Sequence, residues 1–145
     1  MKPRLKVLFL CTGNSCRSQM AEGFARALKR GEIEAYSAGT KPQGLNPLAV
    51  KVMAESGVDI SSHSSKSVEE LRHIEFDVVV TVCDQANEDC PLWLGRGKKV
   101  HRSFDDPPQL AANAGSEAEA LQVYRRVRDE IKAFIESLPQ GFKDL

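Results

Sequence analysis

"LKVLFLCTGNSCRSQMAEGFARALK", Leu5 to Lys29, strings together an apolar run, a short polar turn and an amphipathic run. Leu5–Cys11 is apolar almost throughout, the pattern of a strand buried on both faces. From Ser18 to Lys29, a helical period places Met20, Phe24, Ala27 and Leu28 on one face, with Ser18 near the helix N-terminus. Strand, tight turn and helix in that order are the opening unit of an α/β fold.

Outward from that unit the alternation continues. "IEAYSAG" (33–39) reads as a second strand, and "NPLAVKVMAESG" (46–57) as a helix capped by Asn46, opened by Pro47 and stopped at Gly57. "SKSVEELRH" (65–73) predicts a short helix, "FDVVVTVC" (76–83) a β-branched strand and "KKVHRSF" (98–104) a fourth strand. The last helix is expected from Ser116 to Leu138, with Ala120, Val123, Tyr124, Val127, Ile131, Phe134 and Ile135 turned inward. "PPQLAANAGSEAE" (107–119) reads as a surface loop. The expected architecture is a single α/β domain over residues 1–145, a four-stranded parallel sheet flanked by helices on both faces.

Bulk properties exclude several function classes. A chain of 145 residues buries a core without metal or disulfide staples. Twenty basic and twenty acidic residues give zero formal charge, which argues against wholesale nucleic-acid binding but allows a local basic site. The apolar run before Cys11 is too short for a signal peptide, and no stretch approaches the ~18 apolar residues of a membrane span. The expected setting is cytoplasmic and the expected state monomeric. Cysteines in that compartment are usually reduced, so the four here suggest chemistry rather than bracing.

In parallel α/β sheets, ligands sit beyond the carboxyl ends of the strands. Cys11, Cys83 and "FDDPP" (104–108) all fall there. Between Cys11 and Arg17 a tight turn can aim several backbone N–H groups inward at the positive end of a helix, forming an anion nest. The nest comprises Thr12, Gly13, Asn14, Ser15, Cys16, Arg17 and Ser18. Arg17 supplies a planar fork for two oxygens of a tetrahedral oxyanion. The same field favours a thiolate at Cys11, to which Ser18 could donate. Gly13 is expected to take the backbone angles of the turn. The "GK[ST]" of a nucleotide-binding loop is missing.

"CTGNSCRSQMAEG" (11–23), "SAGT" (37–40), "GLNPLAV" (44–50), "GVDIS" (57–61) and "FDDP" (104–107) together resemble the arsenate reductases built on the low-molecular-weight phosphotyrosine phosphatase fold. That resemblance implies a relay of three cysteines: Cys11 attacks arsenic, Cys83 attacks the Cys11 sulfur as arsenite leaves, and Cys90 attacks Cys83. It implies no bound cofactor and electrons from reduced thioredoxin, which the C-x6-C spacing of Cys83 and Cys90 favours over glutathione or mycothiol. Arsenate is the expected substrate, with phosphate or sulfate as alternative loop anions. Were 84–89 helical, Cys83 and Cys90 would stand about 10 Å apart, so forming their disulfide would require that segment to unwind. Cys16 has no role in the relay.

The resemblance also assigns the general acid to Asp106, the aspartate before proline, whose carboxyl is expected to be raised in pKa opposite a bound oxyanion. In one branch of these reductases a potassium ion is held at positions matching Asn14, Glu22 and Ser37 plus an aspartate. That aspartate is Lys66 here, so the ammonium is expected to replace the ion and pair with Glu22. No metal site is expected; His63, His73 and His101 read as structural or solvated. The rival readings are a low-molecular-weight protein tyrosine phosphatase, weakened by "PPQL" where aromatic residues would follow the acid, and a non-catalytic anion-binding or redox-sensing domain.

Overall fold

The computed structural model describes residues 4–84 and 97–144. Four parallel strands, β1 (Leu5–Cys11), β2 (Ile33–Gly39), β3 (Val78–Thr81) and β4 (Lys98–His101), form one sheet in the order β2-β1-β3-β4. Helices α1 (Arg17–Leu28), α2 (Pro47–Glu55), α3 (Pro107–Ala111) and α4 (Glu117–Glu136) accompany it. Five successive residues of β1, Val7 to Cys11, are buried. Since neighbouring side chains of a strand point to opposite faces, both faces of the sheet are covered there.

The strand order fixes where a ligand can enter. The chain leaves β1 toward β2 on one side, then crosses back so that β3 pairs with the other side of β1. The connections leaving β1 and β3 therefore diverge and open a crevice above their carboxyl ends. Cys11 closes β1, and Cys83 lies two residues beyond β3, whose pairing with β1 continues through Val82 N–H to Leu10 O at 2.9 Å.

Local chemistry accounts for the helix ends. Asn46 Oδ1 accepts from the N–H groups of Leu48 (2.8 Å) and Ala49 (3.2 Å), and Pro47 opens α2. Gly57 follows with φ +78°, the left-handed angle glycine adopts without strain. Packing corrects several sequence-based expectations. On α1 the buried face is Met20, Ala21, Phe24 and Ala25, while Leu28 is 44% exposed. On α4 the inward set includes Leu121, with Ala120 and Val123 only half-buried.

The stretch 65–73 makes a single 3₁₀ turn, Val68–Leu71, stabilised by a reciprocal cap between Ser67 and Glu70. The expected loop at 107–119 is in part helix: Pro107 and Pro108, preset in φ, start α3 directly after Asp106.

Candidate active site

The turn from Cys11 to Arg17 is braced from behind. The carbonyls of Cys11, Thr12, Gly13 and Ser15 accept from the N–H groups of Thr40 (3.3 Å), Lys41 (2.8 Å), Gln43 (2.9 Å) and Asn46 (2.9 Å). Ser65 Oγ also donates to Gly13 O, and Gln19 Nε2 to Asn14 O, both at 3.0 Å. With its carbonyls engaged on the outer side, the turn keeps its N–H groups for the inside. Cys16 does not cap α1 through its side chain, so the helix's N-terminal N–H groups also remain available to an anion. Gly39 permits the close fit: a Cβ there would lie 2.5 Å from Thr12 O and 3.0 Å from Asn14 N.

Asn14, rather than Gly13, takes the left-handed backbone, with φ +47°. It is fully buried, and its side chain organises the turn. Asn14 Oδ1 accepts from Lys66 N (2.9 Å) and Gln19 Nε2 (3.1 Å), while Nδ2 donates to Ser18 Oγ (2.8 Å) and Ser37 Oγ (3.0 Å). Each hydroxyl then has its proton free for another partner. Ser37 gives its proton to Glu22 Oε1 at 2.6 Å. Ser18 Oγ shares a hydrogen bond with Cys11 Sγ, 2.9 Å away, and that sulfur also accepts from the backbone N–H of Asn14 at 3.2 Å. Both contacts fix the sulfur at the base of the turn. Losing Asn14 would orphan several buried groups at about 1–3 kcal/mol each.

Glu22 corrects one expectation. Arg26, one helical turn on, pairs with it at 2.8 Å, and His63 Nε2 stands 3.9 Å away. Lys66 instead sets its ammonium on two carbonyls, Ser64 O (3.0 Å) and Ser37 O (3.3 Å). The i,i+4 spacing of Glu22 and Arg26 was the signal available in the sequence. His63 has its pKa lowered from the usual imidazole value, by burial first and also by Arg26 and Lys66, against the opposing pull of Glu22 and Asp59.

In front of the turn, one cavity of about 450 Å³ collects Cys11, Thr12, Gly13, Ser15, Cys16, Arg17, Cys83 and Asp106. Asn14 and Ser18 stand behind that surface. Arg17 donates from Nη1 to Phe104 O (2.9 Å) and holds Nη2 at 3.8 Å from Asp106 Oδ1. Asp106 precedes α3 without capping it through its side chain, which leaves the carboxyl to the cavity. Cys83 Sγ lies 3.4 Å from Thr12 Oγ1, on the wall that also carries Cys11. Cys16 is a further cysteine of that wall, whose pKa is driven far up by burial, then by Cys11, against a smaller pull from Arg17. That direction disfavours the thiolate at Cys16. Cys90 lies outside the described residues.

Sequence reasoning missed Gln43 and Asp84 on the same wall, while Pro108 and Gln109 come from the "PPQL" stretch that opens α3. A loop glutamine and the aspartate after Cys83 carry no motif, and only the folded chain brings them to the cavity. None of the described lining residues is aromatic. A depression of similar size on the outer edge of β2, about 420 Å³ and lined by Arg4, Arg26, Arg30, Glu34 and Tyr36, carries no cysteine among the described residues.

The model of the low molecular weight phosphotyrosine protein phosphatase family matches residues 6–144. An arsenate reductase of Shouchella clausii is 48% identical over 138 residues, covering 92% of this chain and 94% of that protein. Among solved structures, an arsenate reductase in the phosphate-binding state superposes with a TM-score of 0.79 at 33% identity, covering 95% of this chain and 98% of that one. The YwlE arginine phosphatase superposes with a TM-score of 0.74 at 25% identity, covering 96% of each chain.

Proposed function

The chain belongs to the low molecular weight phosphotyrosine protein phosphatase family, and on that premise we propose that it reduces arsenate to arsenite by a thiol–disulfide relay. The observation that carries this reading is a second cysteine, Cys83, on the same cavity wall as Cys11. A phosphatase has no use for it. The relatives named arsenate reductase and the phosphate-binding structure among them support the same substrate shape.

In this reading the turn and Arg17 hold three arsenate oxygens, and Cys11 thiolate attacks arsenic. Asp106, on the cavity wall opposite the turn, acts as the general acid and gives a proton so that water leaves. Cys83 then attacks Cys11 Sγ. The S–S bond forms, the S–As bond breaks, and its electron pair stays on arsenic, which departs as arsenite. Two thiols have lost two electrons, and As(V) has become As(III). Cys90 attacks Cys83 to free Cys11, and a dithiol protein of the thioredoxin type reduces the Cys83–Cys90 disulfide. The Lys66 ammonium on Ser37 O and Ser64 O, with Arg26 on Glu22, puts fixed positive charges where a potassium ion would otherwise bind. The residues do not fit that ion.

The absence of an aromatic rim among the described lining residues speaks against the phosphotyrosine alternative, which needs a surface for an aryl ring. The test is Cys83→Ser. Arsenate-dependent NADPH oxidation with thioredoxin and its reductase should vanish while phosphate binding survives. Persisting turnover would remove the relay.

A further inference from the structure

We propose that Asp84 and His101 form a positioning pair that holds the second thiol, Cys83, within range of Cys11. The proposal rests on the relay reading, in which Cys83 must reach the Cys11 sulfur while arsenic is still attached. On its N-terminal side Cys83 is tied to the sheet, through Val82 N–H to Leu10 O (2.9 Å) and Phe104 N–H to Val82 O (3.1 Å). On its C-terminal side the chain passes at once to Asp84, whose side chain is 81% exposed. Solvent would not fix such a residue. His101 does: its Nε2 lies 2.9 Å from Asp84 Oδ1.

His101 is itself well anchored. It ends β4 in register with Thr81 of β3, and its Nδ1 lies 2.8 Å from Oγ1 of the fully buried Thr81. A carboxylate only accepts, so Nε2 carries a proton whenever the pair is formed. The Thr81 hydroxyl suits either state of the ring. It donates to Nδ1 of the neutral imidazole, or it accepts from the imidazolium and turns its proton toward Val100 O, 3.5 Å away. The hold on Asp84 thus survives loss of the ring's charge. Asp84 also lines the oxyanion cavity, so the pair joins β4 to the wall carrying both thiols.

The step to measure is attack of Cys83 on Cys11 Sγ, isolated in a Cys90→Ser background, where the Cys11–Cys83 disulfide accumulates. Enzyme is mixed with arsenate without reductant, quenched by alkylation, and the disulfide quantified by mass spectrometry over time. His101→Ala and Asp84→Ala should slow its formation by about tenfold, the scale expected for a modest loss of alignment. His101→Gln, whose amide N–H can replace Nε2–H, should recover to within about threefold. Phosphate affinity, read by calorimetry, should change less than the rate in His101→Ala. Wild-type disulfide formation in His101→Ala overturns the proposal, as does equal slowing by alanine and glutamine, or a change confined to phosphate affinity. Cys83→Ser separates the two levels. Arsenite release without Cys83 removes the relay itself, whereas its loss alongside a normal His101→Ala rate removes only the positioning role.

Discussion

The oxyanion turn and the acid-bearing turn face each other across one cavity, yet they are held in opposite ways. Carbonyls from Cys11 to Ser15 are engaged from behind, and Asn14 at the centre is fully buried. The segment carrying Asp105 and Asp106 sits at the surface. Arg126 grips Asp105 at 3.0 Å with both side chains about half exposed, and Arg17 approaches Asp106 only to 3.8 Å. Exposed ion pairs of that kind contribute about 0–1 kcal/mol. In the proposed reaction, the molecule fixes the groups that would recognise charge and leaves at the surface the group that would deliver a proton, since donors must be in place before the anion arrives whereas an acid would act after it.

Breaking the rigid side should have the largest effect. In Gly39→Ala the new methyl would collide with Thr12 O, and the backbone on one side or the other must move. Phosphate affinity by calorimetry should fall by about a hundredfold or more, the penalty of misplacing donors by around 1 Å. Unchanged affinity would show that the turn is not rigid. On the loose side, Asp106→Asn should lower kcat by about a hundredfold, as for loss of a general acid. Its phosphate affinity should hold or improve, because no carboxyl group then faces the bound anion. A parallel loss of affinity would mean that Asp106 helps to hold the anion and that the two sides are not separable.

Much of this contrast could be read in the chain. Cys11, Arg17, Cys83 and Asp106 were found from strand ends, a positive helix terminus and a family pattern, and all four line the cavity. Those signals are local or lie at fixed positions relative to strands. What stayed hidden depends on distant contacts. Gly13 looked like the strained residue because glycine is cheapest there, but Asn14 takes the left-handed angle and gains partners from Gln19, Ser37 and Lys66. Leu28 fits the helical stripe of α1, yet it lies past the point where the helix leaves the core.

Two smaller effects sharpen the same comparison behind the turn and far from it. Because Lys66 brings its own cation to Ser37 O and Ser64 O, exchanging sodium for potassium at constant ionic strength should change turnover less than about twofold, within the range of non-specific salt effects. A severalfold rise would mean that an ion displaces the ammonium. Between α2 and α4, hydrogen bonds from Arg125 above all, and from Arg128, lower the pKa of Glu55 from 4.5 to about 2. A depressed carboxylate stabilises the fold fully above pH 4.5, and this stabilisation is lost as pH falls from there through about 2. Glu55→Gln should therefore flatten, slightly, the acid side of a urea-denaturation profile. An unaltered slope would assign the acid sensitivity to other groups.

The ladder from Thr40 to Asn46 sets a spacing rule. Its N–H groups meet the carbonyls of Cys11, Thr12, Gly13 and Ser15 in one fixed phase. Adding or deleting a single residue between 40 and 46 would shift that phase and free carbonyl oxygens to swing toward the bound anion, turning an attractive pocket repulsive. The connection from Ala112 to Ser116 reaches no part of the turn and is free to vary in length.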